Sequence, residues 1–130
     1  MPVVANQYNI VVEQGATFSL TITYKDSDGE LIDLTDTDAR MEIRQEYTSE
    51  SALVTLTSAA GGSGNTSGIA MGGSEGTITV VISETETKAL TAPATNVYDL
   101  ELVTGDGAVT RLIEGKATVS PGVTESTYTG

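Results

Sequence analysis

The segment TFSLTITY, residues 17–24, alternates apolar and hydroxyl side chains along its whole length. One side of an extended chain would carry Phe18, Leu20, Ile22 and Tyr24, and the residues between them are threonine and serine. A period of two is typical of a strand with one buried and one hydrated face. The segment therefore predicts a β-sheet that covers a hydrophobic core on one side only.

The same alternation returns in other parts of the chain. Apolar residues occupy every second position in residues 8–12, 39–43, 78–82 and 98–102. In the second of these segments the intervening residues are charged, so we expect cross-strand ion pairs on its outer face. Each such pair contributes about 0.2 to 1 kcal/mol.

The last third of the chain predicts a hairpin. VYDLELV, residues 97–103, is followed by a glycine-rich turn and by the returning strand VTRLIEGKATV. In the returning strand the apolar phase changes between Leu112 and Ala117, with Gly115 between them. A one-residue change of phase beside a glycine indicates a β-bulge at that position.

One helix is predicted, after the strand that ends near Ile82. The sequence from Ser83 to Glu86 matches a capping box, and about two helical turns end near Leu90.

Residues 58–76 are rich in glycine, serine and alanine, and only Ile69 and Met71 could anchor this segment to the rest of the protein. This segment predicts either a mobile loop or a hairpin whose tip is ordered by a neighbour.

About seven short strands, hairpin connections and one short helix favour an immunoglobulin-like antiparallel β-sandwich over a closed barrel. The antibody branch is excluded, because the chain has no cysteine and no tryptophan. We predict an N-terminal arm over residues 1–7, one sandwich domain over 8–124 that contains the Gly-rich loop 58–76, and a flexible tail over 125–130.

Composition restricts the function classes. The chain has 6 basic and 18 acidic residues and a formal net charge of −12, which argues against nucleic acid and anionic membranes as partners. The absence of cysteine and histidine removes thiolate chemistry, the commonest general base and the commonest transition-metal ligand. From residues 1–15, which lack a basic start and a long apolar run, we expect no signal peptide, and we expect no segment that crosses a bilayer.

An acidic segment beginning at Tyr24, YKDSDGELIDLT, invites comparison with a calcium-binding EF-hand loop. With Gly29 at the sixth position, Asp26 and Asp28 fall at the third and fifth positions. The first position is then Tyr24 and the twelfth is Thr35, neither of which supplies the required carboxylate. The segment predicts a turn at Asp28 and Gly29, and we expect no metal and no cofactor.

Catalysis is not expected either. Asp99 with Glu101, or Glu42 with Glu114, could act as an acid and base pair on one sheet face, but such residues are ordinary on the hydrated face of an acidic protein. A serine nucleophile would need a lysine base, and no Ser-x-x-Lys context is present. We predict that the protein is not an enzyme and has no catalytic residues.

Three segments, taken in order, resemble those of a known family. The first, residues 17–44, includes IDLT and ARMEIR. The second, residues 76–90, includes GTITVVIS and ETETKAL, and the third, residues 98–124, includes RLIEGKATVSP. Over residues 8–124 the chain resembles small tailed-phage virion proteins. It is similar to the N-terminal Ig-like domain of phage baseplate upper proteins, which anchors receptor-binding or fibre modules to the tail. The resemblance implies a sandwich with a structural role in the virion.

The leading hypothesis from this resemblance is a non-enzymatic virion structural protein, a tail, baseplate or fibre-attachment adaptor that is assembled in the host cytoplasm. Its partners would be other virion proteins, and it would form a homo-oligomer within a symmetric assembly. Two alternatives stay open: a capsid decoration (cement) protein that stabilises the head, and a calcium- or glycan-binding Ig-like module.

Four residues are the candidate contacts for a partner. Tyr8 follows the N-terminal arm, Asp28 lies in the acidic turn, and Ile69 and Met71 are the large apolar residues of the Gly-rich segment. Extended arms and sheet edges are common binding elements because their backbone groups can pair with another chain.

Overall fold

The computed structural model describes residues 6–59 and 61–122. Within these residues the strands are β1 (Asn6–Gln7), β2 (Ile10–Glu13), β3 (Phe18–Thr23), β4 (Asp38–Arg44), β5 (Val54–Thr57), β6 (Gly68–Met71), β7 (Thr77–Ile82), β8 (Ala94–Val103) and β9 (Val109–Ser120). Helix α1 (Glu84–Lys88) connects β7 to β8, and a 3-10 turn (Gly73–Glu75) connects β6 to β7.

The strands form two sheets packed face to face. The larger sheet has the order β1-β9-β8-β4-β5, with β2 also paired to β9, and the smaller sheet has the order β3-β7-β6. This division of strands is that of an immunoglobulin-like sandwich, so the predicted all-β fold is confirmed. No helix in the described part of the chain is long and apolar enough to cross a membrane.

The core lies between the two sheets and follows the predicted alternation. In β4 the buried residues are Ala39, Met41 and Ile43, and the residues between them face outward. Strand β7 buries Ile78, Val80 and Ile82, and β8 buries Tyr98, Leu100 and Leu102. Further core residues come from other strands and from the connections between elements, including Ile10, Val12, Leu34, Val54, Leu56, Ile69, Leu90, Ala117 and Val119.

The N-terminal strands depart from the antiparallel expectation, because β1 and β2 both run parallel to β9. The break between them lies beside Gly115, where a Cβ atom would approach the Tyr8 carbonyl oxygen to 2.4 Å. Glycine is needed at this position because the two backbones come so close together. The bulge predicted beside Gly115 is instead nearer the turn: Leu100 pairs with Ile113 and Glu101 with Arg111, which leaves Leu112 as the extra residue.

Part of the Gly-rich segment, for which a mobile loop or a hairpin was predicted, forms regular secondary structure. Its second half forms β6, which pairs with β7, and the 3-10 turn that follows. Ile69 is fully buried in the core. Gly62 and Gly72 permit close packing, since a Cβ atom on either would meet Gly68 or Thr77 at less than 3 Å.

Helix α1 is shorter than predicted and begins where the capping box places it. The Ser83 hydroxyl accepts a hydrogen bond from the Glu86 N–H, and the helix ends at Lys88. Its buried residue Thr87 accepts a hydrogen bond from the Gly15 N–H and donates one to the Ala16 carbonyl oxygen. These bonds fasten α1 to the turn between β2 and β3.

Of the predicted N-terminal arm and C-terminal tail, the described residues include only residues 6 and 7. Residues 6 and 7 of the N-terminal arm form β1 rather than a free extension. Residues 1–5 of the arm and the predicted tail over 125–130 lie outside the described residues.

Candidate protein-binding face

The outer face of the larger sheet carries charges arranged in three rows across β4, β8 and β9. The first row is Arg40, Glu101 and Arg111; the second is Glu42, Asp99 and Glu114; the third is Arg44, Val97 and Lys116. We call the eight charged residues of these rows the charged face. The face thus places a row of three carboxylates between two rows that together hold the four basic side chains.

Ion pairs connect residues within the first row and between neighbouring rows. Arg40 Nε lies 2.7 Å from Glu101 Oε1, and Arg44 Nη2 lies 2.7 Å from Glu42 Oε1. Arg111 contacts two carboxylates, with Nε 3.2 Å from Asp99 Oδ2 and Nη1 3.4 Å from Glu114 Oε1. Arg40 thus forms the predicted cross-strand ion pair, whereas Glu42 pairs with Arg44 of its own strand, and the four ion pairs extend over three strands.

These ion pairs contribute little to the stability of the fold. The side chains of Arg40 and Arg111 keep 54% and 53% of their surface exposed. Exposed pairs of this kind are worth about 0 to 1 kcal/mol each, because water and salt screen them. The guanidinium groups are consequently able to exchange their intramolecular partners for charged groups of another protein at small cost.

Asp99, in the centre of the carboxylate row, is the least favourably placed acid. Burial raises the pKa of its carboxyl group above the usual value, and the negative charges of Glu101, Glu42 and Glu114 act in the same direction. Arg111 opposes this effect. A positive group from a partner placed over Asp99 would favour its ionised form.

The charged face also has a concave part, a groove of about 450 Å³ at the β4 and β8 strands. Tyr47, in the connection between β4 and β5, lines this groove and is 75% exposed. Tyrosine and arginine are among the residue types that are enriched where the binding energy of protein interfaces is concentrated. The groove therefore has the chemistry of a protein contact site.

The distribution of charge distinguishes this face from the rest of the protein. It contains four of the six basic residues of the chain, including all three arginines, and four of the eighteen acidic residues. Its formal charge is zero, whereas the whole chain carries −12. A protein partner meets no net repulsion from the charged residues of this face, whatever the sign of its own charge.

The four residues predicted to contact a partner are not on this face. The Tyr8 side chain is half exposed, but its backbone is held by Glu114 and by the Tyr98 phenol. Asp28 is exposed in the turn after β3, and Met71 is partly buried at the end of β6. The fully buried side chain of Ile69 belongs to the core, so the structure leaves no surface on it for a partner.

The acidic segment after β3 uses its carboxylates to form turns. Asp26 Oδ1 accepts hydrogen bonds from the N–H groups of Asp28 and Glu30. Hydrogen bonds from the Thr35 hydroxyl and N–H lower the pKa of Asp33. Over residues 6–59 and 61–122, no group of three or more acidic side chains is placed to hold a metal ion.

The sequence contained one signal for the charged face, the alternation of arginine and glutamate from Arg40 to Arg44. It did not indicate that Arg111 and Lys116 would lie beside them, because that depends on the pairing of β8 with the distant strand β4 and on the register of β9. The carboxylates considered as acid and base pairs are all members of this face.

Comparison with known proteins does not assign the chain to a family: no family model matches the chain, and no curated protein matches it.

Proposed function

We propose that the chain is a non-enzymatic structural protein of a tailed-phage virion, an adaptor in the tail, baseplate or fibre attachment that binds another virion protein through the charged face. The supporting observation is the neutral, arginine-rich face with its groove on a protein of charge −12. The resemblance of residues 8–124 to phage baseplate domains supports a location in the phage tail. Many copies in a symmetric assembly would strengthen individually weak contacts.

The rows of the charged face define the chemistry of the partner surface. The central carboxylates of Glu42, Asp99 and Glu114 suit a lysine or arginine of the partner. The flanking arginines suit aspartate or glutamate, which they can bind through two parallel hydrogen bonds. A partner surface with a basic centre and acidic flanks would match the face, and the opposite pattern would be repelled.

The location of the protein is tested by separating heads from tails of purified virions and identifying its peptides by mass spectrometry. We expect recovery with the tails. A carbodiimide cross-linker, which joins carboxylates to amines, should connect Glu42, Glu101 or Glu114 to a lysine of another virion protein. Recovery with the heads alone would contradict the proposal and favour the cement protein.

The role of the face is tested by reversing two of its charges. We expect the variant Arg40→Glu with Arg111→Glu to be lost from virions. The matched control is Lys25→Glu with Lys88→Glu, two exposed residues outside the face that change the net charge equally. Equal incorporation of both variants would refute binding through this face.

A rise in the melting temperature of the protein on addition of calcium or a glycan would favour the alternative function, a calcium- or glycan-binding module.

A further inference from the structure

Strand β3 lies at a free edge of the smaller sheet, whose strand order is β3-β7-β6. It pairs with β7 over its whole length without a break in register, and it is the longest edge strand in the described part of the chain. Edge strands are usually protected by a charge, a proline, a bulge or a short length, because their unpaired backbone groups bind other strands. Residues 14–24 contain no charge and no proline, so β3 lacks these protections.

The backbone groups of β3 alternate between its two sides. The Tyr24 N–H continues the pairing with β7 by donating a hydrogen bond to the Gly76 carbonyl oxygen. In an antiparallel pair every second residue bonds to the partner strand, so the even-numbered residues of β3 bond to β7. The odd-numbered residues, Ser19, Thr21 and Thr23, direct their N–H and C=O groups to the free edge. These groups have no backbone partner among the residues that the structure describes.

The apolar side chains of β3 are incompletely covered. Phe18, Leu20 and Ile22 are only partly buried, whereas the β7 residues paired with them are fully buried. The difference arises because β3 has a neighbouring strand on one side only. A further strand beside β3 would cover these side chains and would bond to the odd-numbered residues at the same time.

We propose that β3 pairs antiparallel with β3 of a second copy of the chain, about a two-fold axis that passes through the sheet at Thr21. The pairing joins the two smaller sheets edge to edge into one continuous sheet. In this register Thr21 of one copy stands opposite Thr21 of the other, and Ser19 stands opposite Thr23. These residues exchange both of their backbone hydrogen bonds, because all of them face the free edge.

The side chains of β3 favour a second copy as the occupant. The same register places Leu20 opposite Ile22 and Phe18 opposite Tyr24, so each apolar side chain of one copy meets an apolar side chain of the other. Because residues 14–24 carry no charge, the pairing brings no like charges together, although each chain has a net charge of −12. A two-fold pairing thus supplies a strand whose pattern matches β3 on both faces.

The pairing does not depend on the charged face, which lies on the outer side of the larger sheet. Salt separates the two kinds of binding: it screens the repulsion between two chains of charge −12, and it weakens attraction between the charged face and a partner. Arg40→Glu with Arg111→Glu should therefore still form the dimer. Loss of this variant from virions would leave the dimer unaffected, so the two proposals fail separately.

Sedimentation velocity of the full-length protein over a range of concentrations tests for the dimer. We expect a monomer–dimer equilibrium that shifts towards the dimer with protein concentration and with NaCl. Thr21→Lys places two positive charges opposite each other at the axis and should weaken dimerisation by about tenfold. The matched control is Thr55→Lys, at an exposed threonine of the edge strand β5, which changes the net charge equally. A monomer at all concentrations, or equal dimerisation of both variants, would overturn the proposal.

Amide hydrogen exchange measured by NMR tests the register. The N–H groups of Ser19, Thr21 and Thr23 should exchange rapidly in dilute solution and slowly in concentrated solution. Those of Leu20 and Ile22 bond to β7 and should exchange slowly in both. Slow exchange of the odd-numbered residues at every concentration would show that the chain's own residues cover the edge, and rapid exchange at every concentration would show that the edge stays free. Either result would overturn the proposal.

Discussion

The Tyr98 phenol donates a hydrogen bond to the backbone carbonyl oxygen of Tyr8. Tyr98 is paired with Gly115 of β9, and Tyr8 lies on the other side of that strand, between β1 and β2. The bond therefore links β8 directly to the N-terminal strands at the point where their own pairing with β9 is interrupted. It is formed by a buried side chain, which protects it from competition by water.

Replacing Tyr98 by phenylalanine should lower the free energy of unfolding by about 1 to 2 kcal/mol, because the Tyr8 carbonyl loses its partner. Urea denaturation followed by circular dichroism measures this change. Tyr47→Phe is the control, since that phenol is exposed. Equal stability of the two variants would show that the bond does not hold the N-terminal strands.

Gly115→Ala should destabilise the protein by about 1 to 3 kcal/mol, because the new Cβ atom would lie 2.4 Å from the Tyr8 carbonyl oxygen. Hydrogen exchange should show that protection is lost first at β1 and β2. Gly105→Ala is the matched control, since its nearest non-neighbouring atom lies at an ordinary 3.5 Å. If Gly115→Ala leaves β1 and β2 fully protected, the close approach is not restrictive.

Thr87→Val keeps the shape of the side chain and removes the hydroxyl that bonds to Gly15 and Ala16. The two backbone groups lose their partner, so the free energy of unfolding should fall by about 1 to 3 kcal/mol. Thermal unfolding of Thr85→Val, an exposed position in the same helix, provides the comparison. A similar effect of both substitutions would point to helix propensity rather than to these bonds.

The strands were predictable where side chains alternate strongly, as in β3, β4, β7 and β8. The parallel pairing of β1 and β2 with β9 was not, because it joins segments more than 100 residues apart and no local pattern records it. Strand β6 was hidden by its glycine and alanine, which carry little strand preference. The pattern therefore predicts Ile69 as a partner contact, although this residue belongs to the core.

The charged face was predictable in part. Alternating charges in β4 indicate an outer face with ion pairs, and the sequence allows Asp99 with Glu101, or Glu42 with Glu114, to share one sheet face. The bulge at Leu112 determines that Arg111, rather than Leu112, stands opposite Glu101. Such a one-residue change of register cannot be read from the apolar pattern alone, because Leu112 and Ile113 are both buried.

Asp99→Asn should change the pH dependence of stability. Burial raises the folded-state pKa of Asp99, so the folded protein binds a proton more tightly than the unfolded chain. This residue therefore makes stability decrease as pH rises from the usual aspartate pKa through the raised one. The variant should lose that decrease, as measured by urea denaturation across the acidic range. Asp28→Asn, at an exposed turn position, controls for removal of one negative charge. An unchanged slope in Asp99→Asn would contradict the prediction.

The parallel alignment of β1 and β2 with β9 also determines how the sandwich would respond to tension. If Asn6 and Ser120 are pulled in opposite directions, the paired strands must slide past each other lengthwise. The slanted, evenly spaced hydrogen bonds of a parallel pair then bear the load together, whereas an unzipping geometry would break them one at a time. With this topology, the sandwich should resist stretching between its first and last strands more strongly than peeling of β5 from the opposite edge of the same sheet.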